Sequence, residues 1–274
     1  MTHRKDWTLY EKIWLIAFLV VILAATVYFS WTDTDYADID SVLLNWVISP
    51  LSAISGIFCV VLAAKGRFSN WVWGIANSVL YGYLAYRTGY YGDALMGIAY
   101  FLPTQFIGIF AWKRMMRKDK AEQVRMRKLT WRQALGFGAA GVVATVLFAL
   151  LLHTVDNWFT RIMHRNDTIY AYFVQVFGER FALLGPIIDS STEVLQFFAQ
   201  ILMIMALAEQ WVFWILTNLI TIGMWAIVII ADPASISWAL PTLIMWVAYL
   251  VNSIYGLCIW MRGAKRHAHG AVSG

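Results

Sequence analysis

Charge is what this sequence has least of. Only 14% of its 274 residues are Asp, Glu, Lys or Arg, against 61% hydrophobic. A mean hydropathy of +0.63 lies outside the range of soluble domains. Cysteine is nearly absent as well. Cys59 and Cys258 both fall in apolar runs, so no disulfide framework organises the fold and both read as packing residues. None of the five histidines lies in the middle of an apolar run: His3, His267 and His269 are in the tails, His153 ends a run and His164 is in a polar stretch. There is no HExxH, no phosphate-binding loop and no Ser-His pair, which argues against an intramembrane enzyme, and no metal or cofactor is expected. Lys and Arg are missing from the centre of every apolar run and carboxylates are scarce there, which speaks against a phosphate or carboxylate substrate and against an evident ion-coupling site.

What is present is apolar length. A membrane-crossing helix needs about 20 mostly apolar residues, and eight windows supply them: 12–30, 44–64, 70–88, 93–112, 133–153, 187–208, 210–230 and 236–260. The chain is expected to be an all-α polytopic membrane protein. Orientation follows from the cations, because short loops rich in Lys and Arg stay in the cytoplasm. With the N-terminus inside, all but Arg87, Arg161, Arg165 and Arg180 of the 21 Lys and Arg fall on the cytoplasmic side, while Asp33, Asp35, Asp38 and Asp40 crowd the first external loop. Both termini are thus expected inside after eight crossings. The net charge of +5 says nothing about nucleic acid, since the basic run KRMMRKDKAEQVRMRK reads first as a cytoplasmic stop, with contact to anionic lipid as an addition to that role. The first apolar run is too long for a cleaved signal and reads as a signal-anchor.

Two stretches resemble each other. NWVWGIANSVLY places Trp73 and Asn77 four residues apart, and WVFWILTNLITI does the same with Trp214 and Asn218, an offset of 141 that also relates Gly82 to Gly223. Farther on, Gly108-x3-Trp112 is echoed by Gly256-x3-Trp260. Two parallel three-helix repeats are implied, and one helix must carry the chain back between them: an N-terminal helix followed by a 3+1+3 arrangement. The parts are then an N-terminal helix and acidic loop (1–43), a first repeat (44–113), a basic loop with the linking helix (114–153), an external amphipathic segment (154–185), a second repeat (186–262) and a tail (263–274). Substrate sites of such transporters lie near the midplane where the repeats meet.

Residues four apart share a helix face, so Asn70, Trp73, Asn77 and Tyr81 form one stripe and Trp211, Trp214, Asn218, Thr221 and Trp225 another. A third runs along Asp189, Glu193, Gln196 and Gln200; the last helix adds Tyr249, Asn252 and Tyr255, and the fourth adds Tyr100, Thr104 and Gln105 beside Pro103. Amides at membrane depth turn inward, as substrate contacts or as glue between helices. Trp71 and Trp211 fit interfacial anchors. Amides both donate and accept and indole faces attract a flat, cationic ring. The candidate substrate-binding residues are therefore Trp73, Asn77, Gln196, Gln200, Trp214, Asn218 and Asn252.

The elements WVWGIANSVLYGYL, DSSTEVLQFFAQILM, WVFWILTNLITIGMW and YLVNSIYGLCIW resemble the PnuC-type nicotinamide riboside transporters over about residues 44–262. Gln196 and Glu193 depart from that family's pattern, which has a small polar residue and Thr there. The resemblance implies a 3+1+3 fold similar to that of SWEET sugar transporters, a homotrimer in the bacterial inner membrane, and facilitated diffusion of nicotinamide riboside for NAD synthesis, with capture by phosphorylation inside. A carrier of another vitamin such as thiamine, an intramembrane enzyme and a structural membrane subunit are the competing readings.

Overall fold

A computed structural model describes residues 7–87, 96–163, 169–181, 183–233 and 236–270. Among them the architecture is helical, with a single isolated bridge between Arg127 and Leu207. The helices are α1 (Leu9–Asp33), α2 (Ile39–Ala64), α3 (Ser69–Arg87), α4 (Leu102–Asp119), α5 (Trp131–Met163), α6 (Ile169–Phe177), α7 (Leu184–Ile204), α8 (Gln210–Ala231) and α9 (Ile236–Gly270). They fall into two compact units, Met1–Arg125 with α1 to α4 and Met126–Gly274 with α5 to α9.

Five helical stretches are long and apolar enough to span a bilayer: Leu9–Thr32, Ile39–Ala64, Trp131–Leu151, Gln210–Ala231 and Leu243–Lys265. The chain is a multi-pass membrane protein. Helices α3, α4 and α7 are outside that set, and these three carry Asn77, Gln105, Gln196 and Gln200.

In the first unit, α1 opens on a capping box: Glu11 N–H donates to Thr8 Oγ1, and Thr8 N–H donates to the Glu11 carboxylate, which satisfies two of the orphan donors of the first turn. Ile13, Ile16, Val20, Leu23 and Val27 stay exposed along α1, a face suited to lipid. The acidic loop that follows is turn chemistry, since Asp35 accepts from Ala37 N–H and Asp38 caps α2 by accepting from Asp40 N–H. Within α2 the backbone widens to a π-turn at Leu44–Ile48, just before Pro50, and a second π-turn at Met96–Phe101 precedes Pro103. A proline cannot donate to the carbonyl four residues back, and both wide turns lie where that bond is missing. Helix α4 ends at Lys120 in the left-handed region, with Arg117 and Lys118 complementing the negative end of the helix.

In the second unit, α5 runs unbroken for 33 residues, through position 153 where the sequence suggested an end. No glycine or proline lies between Val142 and Met163 to stop it. Its Phe137 meets Phe198 of α7 edge-on at 5.8 Å, while α6 buries Phe173 and packs against α7 and α8.

The tight turns between α2 and α3 and between α7 and α8 are built from the same bonds. In the first, Gly66 N–H donates to Ala63 O, Arg67 N–H to Leu62 O, Asn70 N–H to Arg67 O and Trp71 N–H to Phe68 O. In the second, Ala206 N–H donates to Met203 O, Leu207 N–H to Leu202 O, Gln210 N–H to Leu207 O and Trp211 N–H to Ala208 O. Every donor and acceptor is displaced by 140 residues, and the left-handed residue at the apex is Gly66 (φ 63°) in one and Ala206 (φ 56°) in the other.

Candidate functional site

Each unit builds its polar set on a tryptophan–glycine notch. Gly108 of α4 lies so close to Trp71 that an added Cβ would sit inside the indole, and Trp71 meets Trp112 edge-on at 5.1 Å. In the second unit Trp211 fills the notch at Gly256, where a Cβ would come within 2.7 Å of the ring, and meets Trp260 at 6.2 Å. Trp71 is 0% and Trp211 3% exposed, so neither is the interfacial anchor that its place near a helix end suggested. The Gly-x3-Trp motif is a receptor for the indole of the preceding helix. Only glycine permits that approach.

The notches fix which positions correspond. Trp71 and Trp211 are 140 apart, which aligns Trp73 with Phe213, Asn77 with Thr217 and Ser78 with Asn218. The offset of 141 read from the paired Trp and Asn is therefore one residue out of step with the backbone. One residue is about 100° around a helix, and the contacts differ accordingly. Asn77 is half-buried and its Nδ2 donates to Ser52 O of α2 at 2.9 Å, whereas Asn218 is buried and its Nδ2 donates to Ser253 Oγ of α9 at 3.0 Å. Asn77 thus bonds to the helix before its own and Asn218 to the helix after its own.

The other predicted residues fall as follows. Trp73 is 37% exposed and stacks on Phe58 at 4.7 Å, while Trp214 and Gln196 are half-buried. Gln200 and Asn252 are buried, on α7 and α9. Ser253 adjoins Asn252 but is not among the polar residues that the sequence singles out, and Gln105 belongs to the fourth helix's polar set without being a candidate binding residue. Gln105 is 6% exposed, its amide lies directly on Gly74 of α3, and its Oε1 has no hydrogen-bond partner. With the Gly-x3-Trp motifs as a ruler, Gln105 corresponds to Ser253, so the Asn218–Ser253 pair has Ser78 and Gln105 as its positional counterparts. Amide and hydroxyl have exchanged helices.

Apart from the half-buried Glu193 of α7, these sets are neutral. The one buried cation among the described residues, Lys65, is paired with the buried Glu11 and lies 4.7 Å from the Trp7 ring. No cluster of His, Cys, Asp or Glu fit for a metal ion occurs among the described residues. Buried amides, hydroxyls and aromatic rings with no spare charge can select a polar, uncharged or cationic molecule and hold it reversibly.

A sequence model of the nicotinamide mononucleotide transporter family matches residues 45–262. The chain belongs to this PnuC-type transporter family. It is 32% identical over 265 residues to the nicotinamide riboside transporter PnuC of Neisseria mucosa, covering 96% of this chain and 84% of the relative. Identity to the Haemophilus influenzae protein of the same name is 30% over 263 residues, covering 96% and 94%. Among solved structures, a crystal structure of the vitamin B3 transporter PnuC superposes with a TM-score of 0.65 at 29% identity, over 96% of this chain and 94% of that one. This family consists of transporters, not enzymes, and the enzyme alternative is set aside with it.

Proposed function

We propose that the protein carries nicotinamide riboside across the bacterial inner membrane by facilitated diffusion, supplying NAD synthesis. The observation that carries this reading is the match along nearly the whole chain to transporters named for that riboside. The family's description names the mononucleotide instead. The two differ by a phosphate, which calls for a cation such as Arg or Lys, and the buried Lys65 is already committed to Glu11. The riboside, with a pyridinium ring, a carboxamide and hydroxyls, suits the neutral sets. Trp73 and Trp214 would contact the ring, and Asn77, Gln196, Gln200, Asn218 and Asn252 would bond the carboxamide and ribose.

The architecture that supports this reading is an N-terminal helix followed by parallel triplets α2–α4 and α7–α9, with α5 returning the chain between them. The shared bonding of the two turns favours the repeat. Eight crossings with both termini in the cytoplasm follow from the cation distribution, and assembly as a homotrimer from the family resemblance. Calorimetry on the purified protein tests the substrate: saturable binding of the riboside, with none of the mononucleotide or thiamine, and its loss in Gln200→Ala or Asn218→Ala. Binding of thiamine instead would keep the fold and replace the vitamin.

A further inference from the structure

The two equivalent turns share a defect as well as a set of bonds. Asn70 stands in the first turn of α3 and Gln210 in the first turn of α8, again 140 residues apart. Both are 0% exposed, and neither the oxygen nor the nitrogen of either side-chain amide has a hydrogen-bond partner. The indole Nε1 atoms of the adjoining Trp71 and Trp211 are likewise unpartnered. A side-chain amide at the N-cap accepts from a free backbone donor of the first turn, but Asn70 and Gln210 lie past that position, inside their helices, and the N–H groups of the adjoining Trp71 and Trp211 are already taken by Phe68 O and Ala208 O. Nor is there room for water: these side chains present essentially no surface to a water-sized sphere, and a buried water needs a cavity of about that size.

A dry, unpaired amide costs its full desolvation, whereas an apolar side chain of the same shape would cost nothing. The flanking sequences, KGRFSNW and MALAEQW, share little except the amide and the tryptophan. Two equivalent turns whose other side chains differ thus carry the same unfavourable group in the same place, and an unsatisfied buried group in a native structure calls for a reason. We propose that Asn70 and Gln210 set the rate of the conformational step of transport: both amides are dehydrated in the arrangement described and become hydrated when the turn beside each of them opens. The cost borne here lowers the free energy needed to open. This rests on the transporter reading, in which both turns face the cytoplasm. The two amides are positioning residues that act through the turns, without touching substrate.

The test replaces each amide by an apolar side chain of similar size, Asn70→Leu and Gln210→Met, singly and together, with Asn70→Gln and Gln210→Asn as amide-retaining controls. Three quantities are measured: the melting temperature in detergent, backbone hydrogen exchange over residues 66–71 and 206–211, and riboside uptake into proteoliposomes. The apolar variants are expected to melt higher, to exchange more slowly at both turns and to lower the maximal uptake rate by roughly tenfold, the effect of a single well-satisfied hydrogen bond, with KM changed far less. The controls are expected to keep wild-type uptake. Lower melting temperatures in both single apolar variants would overturn the proposal, because the amides would then have partners in this state. So would wild-type uptake by the double apolar variant, or controls as slow as the apolar variants. The first two readouts involve no substrate. Absence of uptake by the wild-type protein would overturn the riboside reading, while faster exchange in the apolar variants would overturn this one.

Discussion

The two turns at Gly66 and Ala206 have the same backbone bonds and are held in place by different side chains. In the first unit the residue before the apex is Lys65, buried against Glu11 of α1 and lying near the Trp7 ring; in the second it is Met205, 43% exposed. The first turn receives one bond from the chain that follows α4, from Val124 N–H to Gly66 O. The second is stitched more fully: Arg127 N–H donates to Ala206 O, Ala208 N–H returns to Arg127 O, and Leu129 N–H donates to Glu209. The backbone scaffold is common property, and each unit secures it with what its own neighbours offer. A helix outside the triplet does so for the first turn, and an extended strap does so for the second.

Breaking the first fastening has the largest expected effect. Lys65→Met leaves the Glu11 carboxylate buried without its partner, and removing one member of a buried pair typically costs about 3–5 kcal/mol. Thermal unfolding in detergent should show a large fall for Lys65→Met and substantial recovery when Glu11→Leu is added, because the apolar pair removes both desolvation costs. The equivalent change in the second unit, Met205→Ala, should move the melting temperature little. A fall as large as that of Lys65→Met would mean that the two turns are fastened alike after all.

Next come the notches. An alanine at position 108 or 256 pushes a methyl into a rigid indole, and overpacking of this kind costs about 1–3 kcal/mol. Gly108→Ala should be the worse of the two, since the Cβ clash is closer there than the 2.7 Å found at Gly256. Urea or thermal unfolding of the two variants side by side checks the order, and an inverted order would show that the Trp71–Trp112 pair yields more readily than Trp211–Trp260.

The polar stripes give a smaller and more informative contrast. Asn218→Ala removes the partner of a buried hydroxyl, Ser253, and should cost about 1–2 kcal/mol of stability. Asn77→Ala frees only a helix carbonyl that also accepts from Ser55 Oγ, so it should cost about 0.5 kcal/mol. Riboside affinity of the same two variants separates packing from recognition. A variant that keeps its melting temperature and loses binding has contacted substrate.

That contrast also shows what could be read without coordinates. The helical membrane class was legible because apolar runs of spanning length have few other uses, and a likeness between the stretches that follow the two turns was legible because Trp, Asn and Gly recur in order. The register was not. Side-chain identity pairs Asn77 with Asn218, but the turn that sets each helix's rotation is defined by backbone bonds, and its apex is glycine in one copy and alanine in the other. An alanine in the left-handed region leaves no mark in a sequence. Lys65 likewise reads as one more cation in a short loop, because its partner lies 54 residues away, where Glu11 reads as the acidic residue of a helix N-terminal capping box. The Gly-x3-Trp echo was visible, yet its purpose was not, since the tryptophan it receives stands on the preceding helix.

The apex residues themselves give effects of about 1 kcal/mol or less. Holding a residue with a Cβ in the left-handed region costs about 1–2 kcal/mol, so Ala206 (φ 56°) is strained where Gly66 (φ 63°) is not. Ala206→Gly relieves that strain, but it also removes a fully buried methyl worth about 0.8 kcal/mol and gives the unfolded chain freedom worth about 0.4–1 kcal/mol. These contributions nearly cancel, and the variant should unfold within about 0.5 kcal/mol of the wild type. Gly66→Ala has strain to add and gains only the entropic part, for a net loss of about 1 kcal/mol. Denaturant unfolding of both variants measures the pair. A clear stabilisation by Ala206→Gly would mean that the strap at Arg127 holds the second turn against more strain than its dihedral angle indicates, and that the two turns differ in stored strain as well as in what fastens them.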